Sequence, residues 1–248
     1  MRHLYYRAMP VPPSPAEADA GREPAEGARL DNFVDGAFAF AITLLIISGG
    51  SLPRNVAALE HALRGIPAFA ACFGQLAFFW FGHVRWRDTV RLIDGTSMWL
   101  SLLLVFFALI FVFPLHLVFA GLFSSVTGGA LSSDFTSAPG NAIGDTAALF
   151  VCYGLSFTCM AGTLAGLYWH GVRVAARNGD AQSFGPRLRL VLWAYVAAVG
   201  LLSTLMALAL PPNMGAVDGL PGFAYFLLGL LGPIIHFYRK QLAKRLPT

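Results

Sequence analysis

The sequence predicts an all-α, polytopic membrane protein with six transmembrane helices and both termini cytoplasmic. Three observations predict it: too little charge for a soluble surface, six apolar runs of spanning length, and a one-sided distribution of basic residues. Of 248 residues, 56% are apolar and only 12% charged, and the mean hydropathy is +0.63. A soluble domain carries about 25% charge. So little charge cannot cover a globular surface, which places the chain in a bilayer.

The chain opens with "MRHLYYRAMPVPPSPAEADAGREPAEGA", residues 1–28, rich in Pro, Ala and Glu and lacking the long apolar core of a secretory signal. It reads as a disordered cytoplasmic tail, leaving residues 29–248 as a six-span domain. A hydrocarbon core of roughly 30 Å needs about 20 apolar residues per helix. The runs at 32–50, 66–84, 97–123, 146–170, 189–210 and 220–238 meet that length. "SGGSLPRN" closes the first span, "GGALSSDFTSAPGNAIGD" separates the third from the fourth, and "PPNMGAVDGLPG" the fifth from the sixth. These Gly, Pro, Ser and Asn clusters are turn chemistry. The stretch "VAALEHALRG", 56–65, fits a short interfacial helix and a plain outer loop equally well.

All 17 basic residues except Arg54 and Arg64 lie before span one, between spans two and three, between four and five, or after six. The positive-inside rule therefore puts both termini in the cytoplasm, and an even number of spans requires them on one side. Cys72, Cys152 and Cys159 fall inside apolar runs without metal-ligand spacing, and read as packing residues. No second copy of the span-one pattern occurs.

The unusual chemistry is in "RLDNFVDGAFAFAITLLIIS", residues 29–48. At 100° per residue, Phe40, Leu44 and Ile47 fall within about 60° of one another, with Thr43 beside them and Gly36 on the same stripe. Asp35 lies roughly 140° from Phe40, on the opposite side. One face is thus apolar around a hydroxyl, and the other carries a carboxylate near the cytoplasmic end. A carboxylate at membrane depth is costly unless paired or wetted. Trp80 and His83, neighbours in "FFWFGHVRWRD" at similar depth, are the candidate partners, and Arg29 lies within reach of the same cluster. Each has a plainer reading: Asp35 as a cap at the interface, Trp80 and His83 as interfacial anchors, the apolar stripe as a lipid- or protein-packed surface.

The same residues carry a resemblance. Arg29, three positions later Phe33-Val34-Asp35, then Gly36 and Ala41-Ile42-Thr43-Leu44-Leu45, resemble the first-helix signature of the transmembrane-protein-175 family. These are potassium channels of bacteria and lysosomes that lack a P-loop filter. The similarity continues through "FFWFGHVRW" and "SMWLSLLLVFFALIFVFP". The resemblance implies a homotetramer whose first helices line a central pore, with apolar rings at Phe40, Leu44 and Ile47 and a hydroxyl layer at Thr43. Arg29, Phe33, Asp35, Trp80 and His83 become a network that holds the first helix. Two residues depart from the family pattern: Val34 stands where the motif has serine, and Phe40 where it has an aliphatic residue.

Asp134, Asp145 and Asp218 in the outer loops form an acidic mouth, or are simply the acids left outside by the arginine bias. His116, two residues after Pro114, reads as a polar neighbour of a kink or as a proton relay. His170 and His236 read as interface residues. No nucleophile elbow, no His/Glu metal pair and no intramembrane Ser/His or Asp/Asp pairing is expected, so the chain is not read as an enzyme. No cofactor and no metal site is implied, K⁺ being a permeant ion only, and no nucleic-acid partner, since the orientation bias accounts for the basic residues. The expected function is a potassium-preferring, passively conducting channel of the bacterial plasma (inner) membrane, its partners the lipid bilayer, K⁺ and copies of itself. A proton-coupled secondary transporter using Asp35 and His83, or a non-conducting membrane scaffold, are the alternatives.

Overall fold

The structure, a computed structural model, describes residues 15–48, 53–131, 142–179, 184–209, 219–233 and 235–236, with side chains from residue 27 onward except at 142–144 and 184. Helices α1 (Pro15–Ser48), α2 (Val56–Arg64), α3 (Ile66–Val90), α4 (Gly95–Val126), α5 (Ala142–Arg177) and α6 (Phe184–Ala209) follow in order. A last helix, α7 (Leu220–Phe223), runs on as a 3₁₀ segment over Ala224–Leu230. Five helical stretches are long and apolar enough to cross a membrane: Gly27–Ser48, Ile66–Val90, Gly95–Val126, Asp145–Arg177 and Gly185–Ala209. The sixth expected span appears as a shorter apolar helix, Leu220–Pro233. Residues 237–238, where the sequence placed its end, lie outside the described residues. Its Gly219, Gly222, Gly229 and Gly232, with Pro221 and Pro233, explain the tighter, broken winding, because these residues weaken a regular α-helical ladder.

One boundary differs from the sequence reading, and one open alternative is decided. The helix α1 begins at Pro15, inside the stretch read as a disordered tail. Proline at the first helical position sacrifices no hydrogen bond. The Ala- and Glu-rich residues after it extend a helix already nucleated by the span, which needs little further free energy. The stretch 56–65 is helical from Val56 to Arg64, with the Asn55 side chain accepting the Ala58 amide at 2.8 Å.

Within the bundle, α1 packs mainly on α4 and α3, and α5 lies against α4 and α6. The core is aromatic at its centre. Phe79 of α3 meets Phe111 of α4 edge-on with centroids 6.0 Å apart, and Phe157 of α5 at 5.2 Å. The Trp86 indole donates to the Leu167 carbonyl at 3.1 Å, so a wholly buried indole keeps its N–H satisfied while joining α3 to α5. Of the three cysteines only Cys72 is buried, its thiol donating to the Leu115 carbonyl; Cys152 is exposed and Cys159 half-buried.

The helices α5 and α6 approach closely because glycine faces a hydroxyl on each. A Cβ on Gly200 would stand 2.6 Å from Thr158 Oγ1 and 2.7 Å from Phe157 Cδ1, and one on Gly154 would meet Thr204 and the Gly200 carbonyl. Glycine at a membrane helix contact lets backbones approach and gain dispersion contacts. By contrast Gly162 faces open space. Gly200→Leu should therefore cost about 1–3 kcal/mol through overpacking, while Gly162→Ala should be neutral. Thermal unfolding of the two purified variants in one detergent checks the contrast.

Candidate functional site

The first spanning helix has two unlike faces. Leu30, Val34, Phe38, Ala41 and Leu45 are buried, a seam with the three- and four-residue spacing of one helix face, set against α3 and α4. The opposite stripe runs through Gly36, Phe40, Thr43 and Ile47, and nothing in the protomer covers it: Phe40 is 55% exposed and Ile47 65%. Leu44 stands between the two, half-buried against the core. The Thr43 hydroxyl donates to the Ala39 carbonyl at 3.1 Å, which satisfies its proton within the helix and turns its lone pairs outward. Val34 is fully buried in the apolar seam. A serine there would bring a hydroxyl that needs a partner, so the valine is a packing solution.

Polar side chains gather at one end of α1. The Trp80 indole N–H donates to Asp35 Oδ1 at 2.7 Å. About 6 Å further toward the N-terminus, one turn along the helix, Asp31 receives Arg87 side-on, Nε to Oδ1 at 2.6 Å and Nη2 to Oδ2 at 3.3 Å. Arg87 also donates Nη1 to the Leu92 carbonyl at 3.2 Å and lies 5.6 Å over the Trp86 ring. The four-residue step from Asp31 to Asp35 and the seven-residue step from Trp80 to Arg87 keep each pair on one face of its helix. Gly27 lets α1 pass against this arginine: a Cβ there would come within 2.6 Å of Arg87 Nη2 and of Ile93 Cδ1.

His83 takes a different partner from the one the sequence suggested. Its Nε2 is 3.0 Å from Ser101 Oγ of α4, and both residues are buried. The reason is position on the α3 face. Trp80 and Arg87 lie toward α1, whereas His83 and Trp86 turn inward to α4 and α5. Arg29 and Phe33 are exposed, and the guanidinium that reaches α1's acids is Arg87. Asp31, Arg87 and Ser101 were missed by the sequence reading. The signals were present: a second acid one turn before Asp35, a second donor two turns after Trp80, and Ser97 and Ser101 a turn apart in an otherwise apolar run.

A second polar contact ties the α3–α4 turn to α5. Asp94 caps α4 through the Ser97 amide at 2.8 Å, the Ser97 hydroxyl accepts the Asp94 amide at 3.0 Å, and His170 Nε2 lies 2.6 Å from Asp94 Oδ2. Burial pushes the Asp94 carboxyl up, but the hydrogen bonds from His170 and Ser97 outweigh it and hold the group below its ordinary range. Among the described residues no group of three or more His, Cys, Asp or Glu is placed to hold a metal ion.

These elements define a multi-pass α-helical membrane protein with one face of its first helix left bare in the protomer. Residues 29–114 match the model of the family described as the endosomal/lysosomal potassium channel TMEM175. A protein of Marivirga tractuosa named as a potassium channel is 26% identical over 204 residues, 80% of this chain and 82% of the relative. The potassium channel MtTMEM175, crystallised as a point variant with a nanobody–MBP fusion, has the same fold: TM-score 0.70, 24% identity, 87% of this chain and 93% of that one. The N-terminal third of the chain is thus similar to the TMEM175 family, and most of its length to a protein named as a potassium channel. The matched stretch contains the Asp31–Arg87 and Asp35–Trp80 pairs and the His83–Ser101 contact.

Two predictions arise from these contacts. In a double-mutant cycle of Asp35→Asn and Trp80→Phe, scored by thermal unfolding, the coupling should be about 1 kcal/mol. The Asp94 carboxyl is held low in the fold, so the stability it contributes is present above the ordinary carboxylate range and lost as pH falls through its lowered value. Melting of the protein across an acid titration should show this loss. Asp94→Asn, which keeps the cap but removes the charge, should melt lower at neutral pH and lack that part of the acid dependence.

Proposed function

We propose that this chain is the subunit of a potassium-preferring channel, a homotetramer in a bacterial plasma membrane with both chain ends in the cytoplasm. Its first helices line a central path. The observation that carries this reading is the bare stripe of Phe40, Thr43 and Ile47 opposite a fully packed seam. In a symmetric assembly such a stripe repeats around one axis. Phe40, Leu44 and Ile47 then form apolar rings, Leu44 at the flank of the stripe, and Thr43 supplies a ring of outward lone pairs.

The physics of permeation follows from those groups. An apolar constriction strips part of the hydration shell, and a hydroxyl layer returns part of the lost solvation. The larger ion, K⁺, gives up its water at lower cost than Na⁺, which sets the preference. Phe40 replaces an aliphatic side chain at the first ring and narrows or dewets that level. The arginine, tryptophan and carboxylate groups at the end of α1 hold the helix in place and stand outside the ion path. Of the expected network, Asp35 and Trp80 take this role directly and His83 through Ser101, while Arg87 stands in for the exposed Arg29, and Phe33 is exposed.

A proton-coupled carrier is less well supported, because the relay it needs does not close. Asp35 accepts from Trp80, while His83 is turned to Ser101. Purified protein in liposomes should pass K⁺ faster than Na⁺ without a proton gradient, and Phe40→Ala should raise the K⁺ flux several-fold. Flux only under a proton gradient, lost in Asp35→Asn, would establish the carrier. No flux from either protein would leave the scaffold.

A further inference from the structure

The end of α5 carries a second feature that conduction does not use. Trp169, Arg173 and Arg177 follow one another at four-residue steps, so they stand on one stripe about 6 Å apart, and all three are exposed. The Arg173 guanidinium lies 4.5 Å from the Trp169 ring centroid. Stacking on an indole fixes a guanidinium's plane and leaves its N–H edge free to grip an oxyanion side-on. Among the described residues no carboxylate or carbonyl takes those N–H groups, and Asp94 at the turn facing α5 is engaged by His170. The Asp94–His170 contact holds the start of α4 against this end of α5. Arg91, Arg85 and Arg187 are also exposed at this end, against the exposed acid Asp88.

The stripe continues into the membrane as a shallow apolar track. One and two turns below Trp169 it reads Gly166 and Gly162, then Leu155. Space beside Gly162 is open, and the nearest atoms to a Cβ on Gly166 are the Leu100 methyls at 3.8 Å and 3.9 Å. A soluble anion would gain nothing from this track, whereas a lipid would lay an acyl chain along it.

We infer that the Trp169–Arg173–Arg177 stripe is a binding site for an anionic phospholipid, its phosphate held by the guanidinium over the Trp169 ring and its chain lying over Gly166 and Gly162. The site is separate from the α1 face and does not depend on whether α1 conducts.

The test uses the purified full chain in phosphatidylcholine nanodiscs, with increasing phosphatidylglycerol. Lipid binding is read by native mass spectrometry, stability by thermal unfolding, and assembly size by light scattering. Phosphatidylglycerol should bind and raise the melting temperature, and Arg173→Gln should weaken that binding about fivefold, the contribution of one basic residue at an anionic surface. Melting of Arg173→Gln in phosphatidylcholine alone should be unchanged, and Arg173→Lys should recover the charge but not the full affinity, since an ammonium cannot stack and grip at once. Equal response to both lipids, or an unaltered phosphatidylglycerol response in Arg173→Gln, would overturn the site. So would the same stabilisation from inorganic phosphate alone, which would make it a soluble-anion site. A smaller assembly of Arg173→Gln in phosphatidylcholine would also overturn it, by making the stripe a contact between copies of the chain. If Arg173→Gln does not fold, Arg177→Gln and the three-ligand comparison on the unmodified chain decide the same question.

Discussion

The indole N–H of Trp80 on the Asp35 carboxylate is the contact on which the first helix depends. A carboxylate on a membrane helix has few ways to remain charged, and a donor on the adjacent helix removes most of the cost. Because α1 carries its packing residues on one seam and its acids at one end, the Trp80 and Arg87 contacts fix both the rotation and the depth of the helix against α3. The bare stripe opposite then has a defined direction. If α1 rotated by one residue, about 100°, Asp35 would lose its donor and Val34 would leave its seam.

Much of this was legible from residues alone. The deficit of charge and the spacing of apolar runs announced helices. The two-faced character of α1 followed from its period, since Phe40, Thr43 and Ile47 share a stripe in any α-helix. Trp80 was identified as a partner of Asp35 because both stand at similar depth near one end. Depth is a one-dimensional quantity, readable from a sequence.

What was not legible concerned direction across the bundle. His83 lies three residues from Trp80, yet that step turns it from α1 toward α4, where Ser101 receives it. Which neighbour waits on each side of a helix is set by tertiary packing, and no single-chain periodicity contains it. The same limit hid the Asp94–His170 contact, whose partners are far apart in the chain. The winding of the last span was not legible for a local reason: hydropathy averages over a window and does not register how Gly and Pro loosen a helical ladder.

The length of α1 has a mechanical consequence. Its 34 residues form a rod of about 50 Å, against a hydrocarbon layer of roughly 30 Å. Gly27, where the backbone passes hard against Arg87 and Ile93, divides that rod into arms of about 18 Å and 32 Å. The longer arm alone matches the thickness of the hydrocarbon layer, so the shorter one projects beyond it.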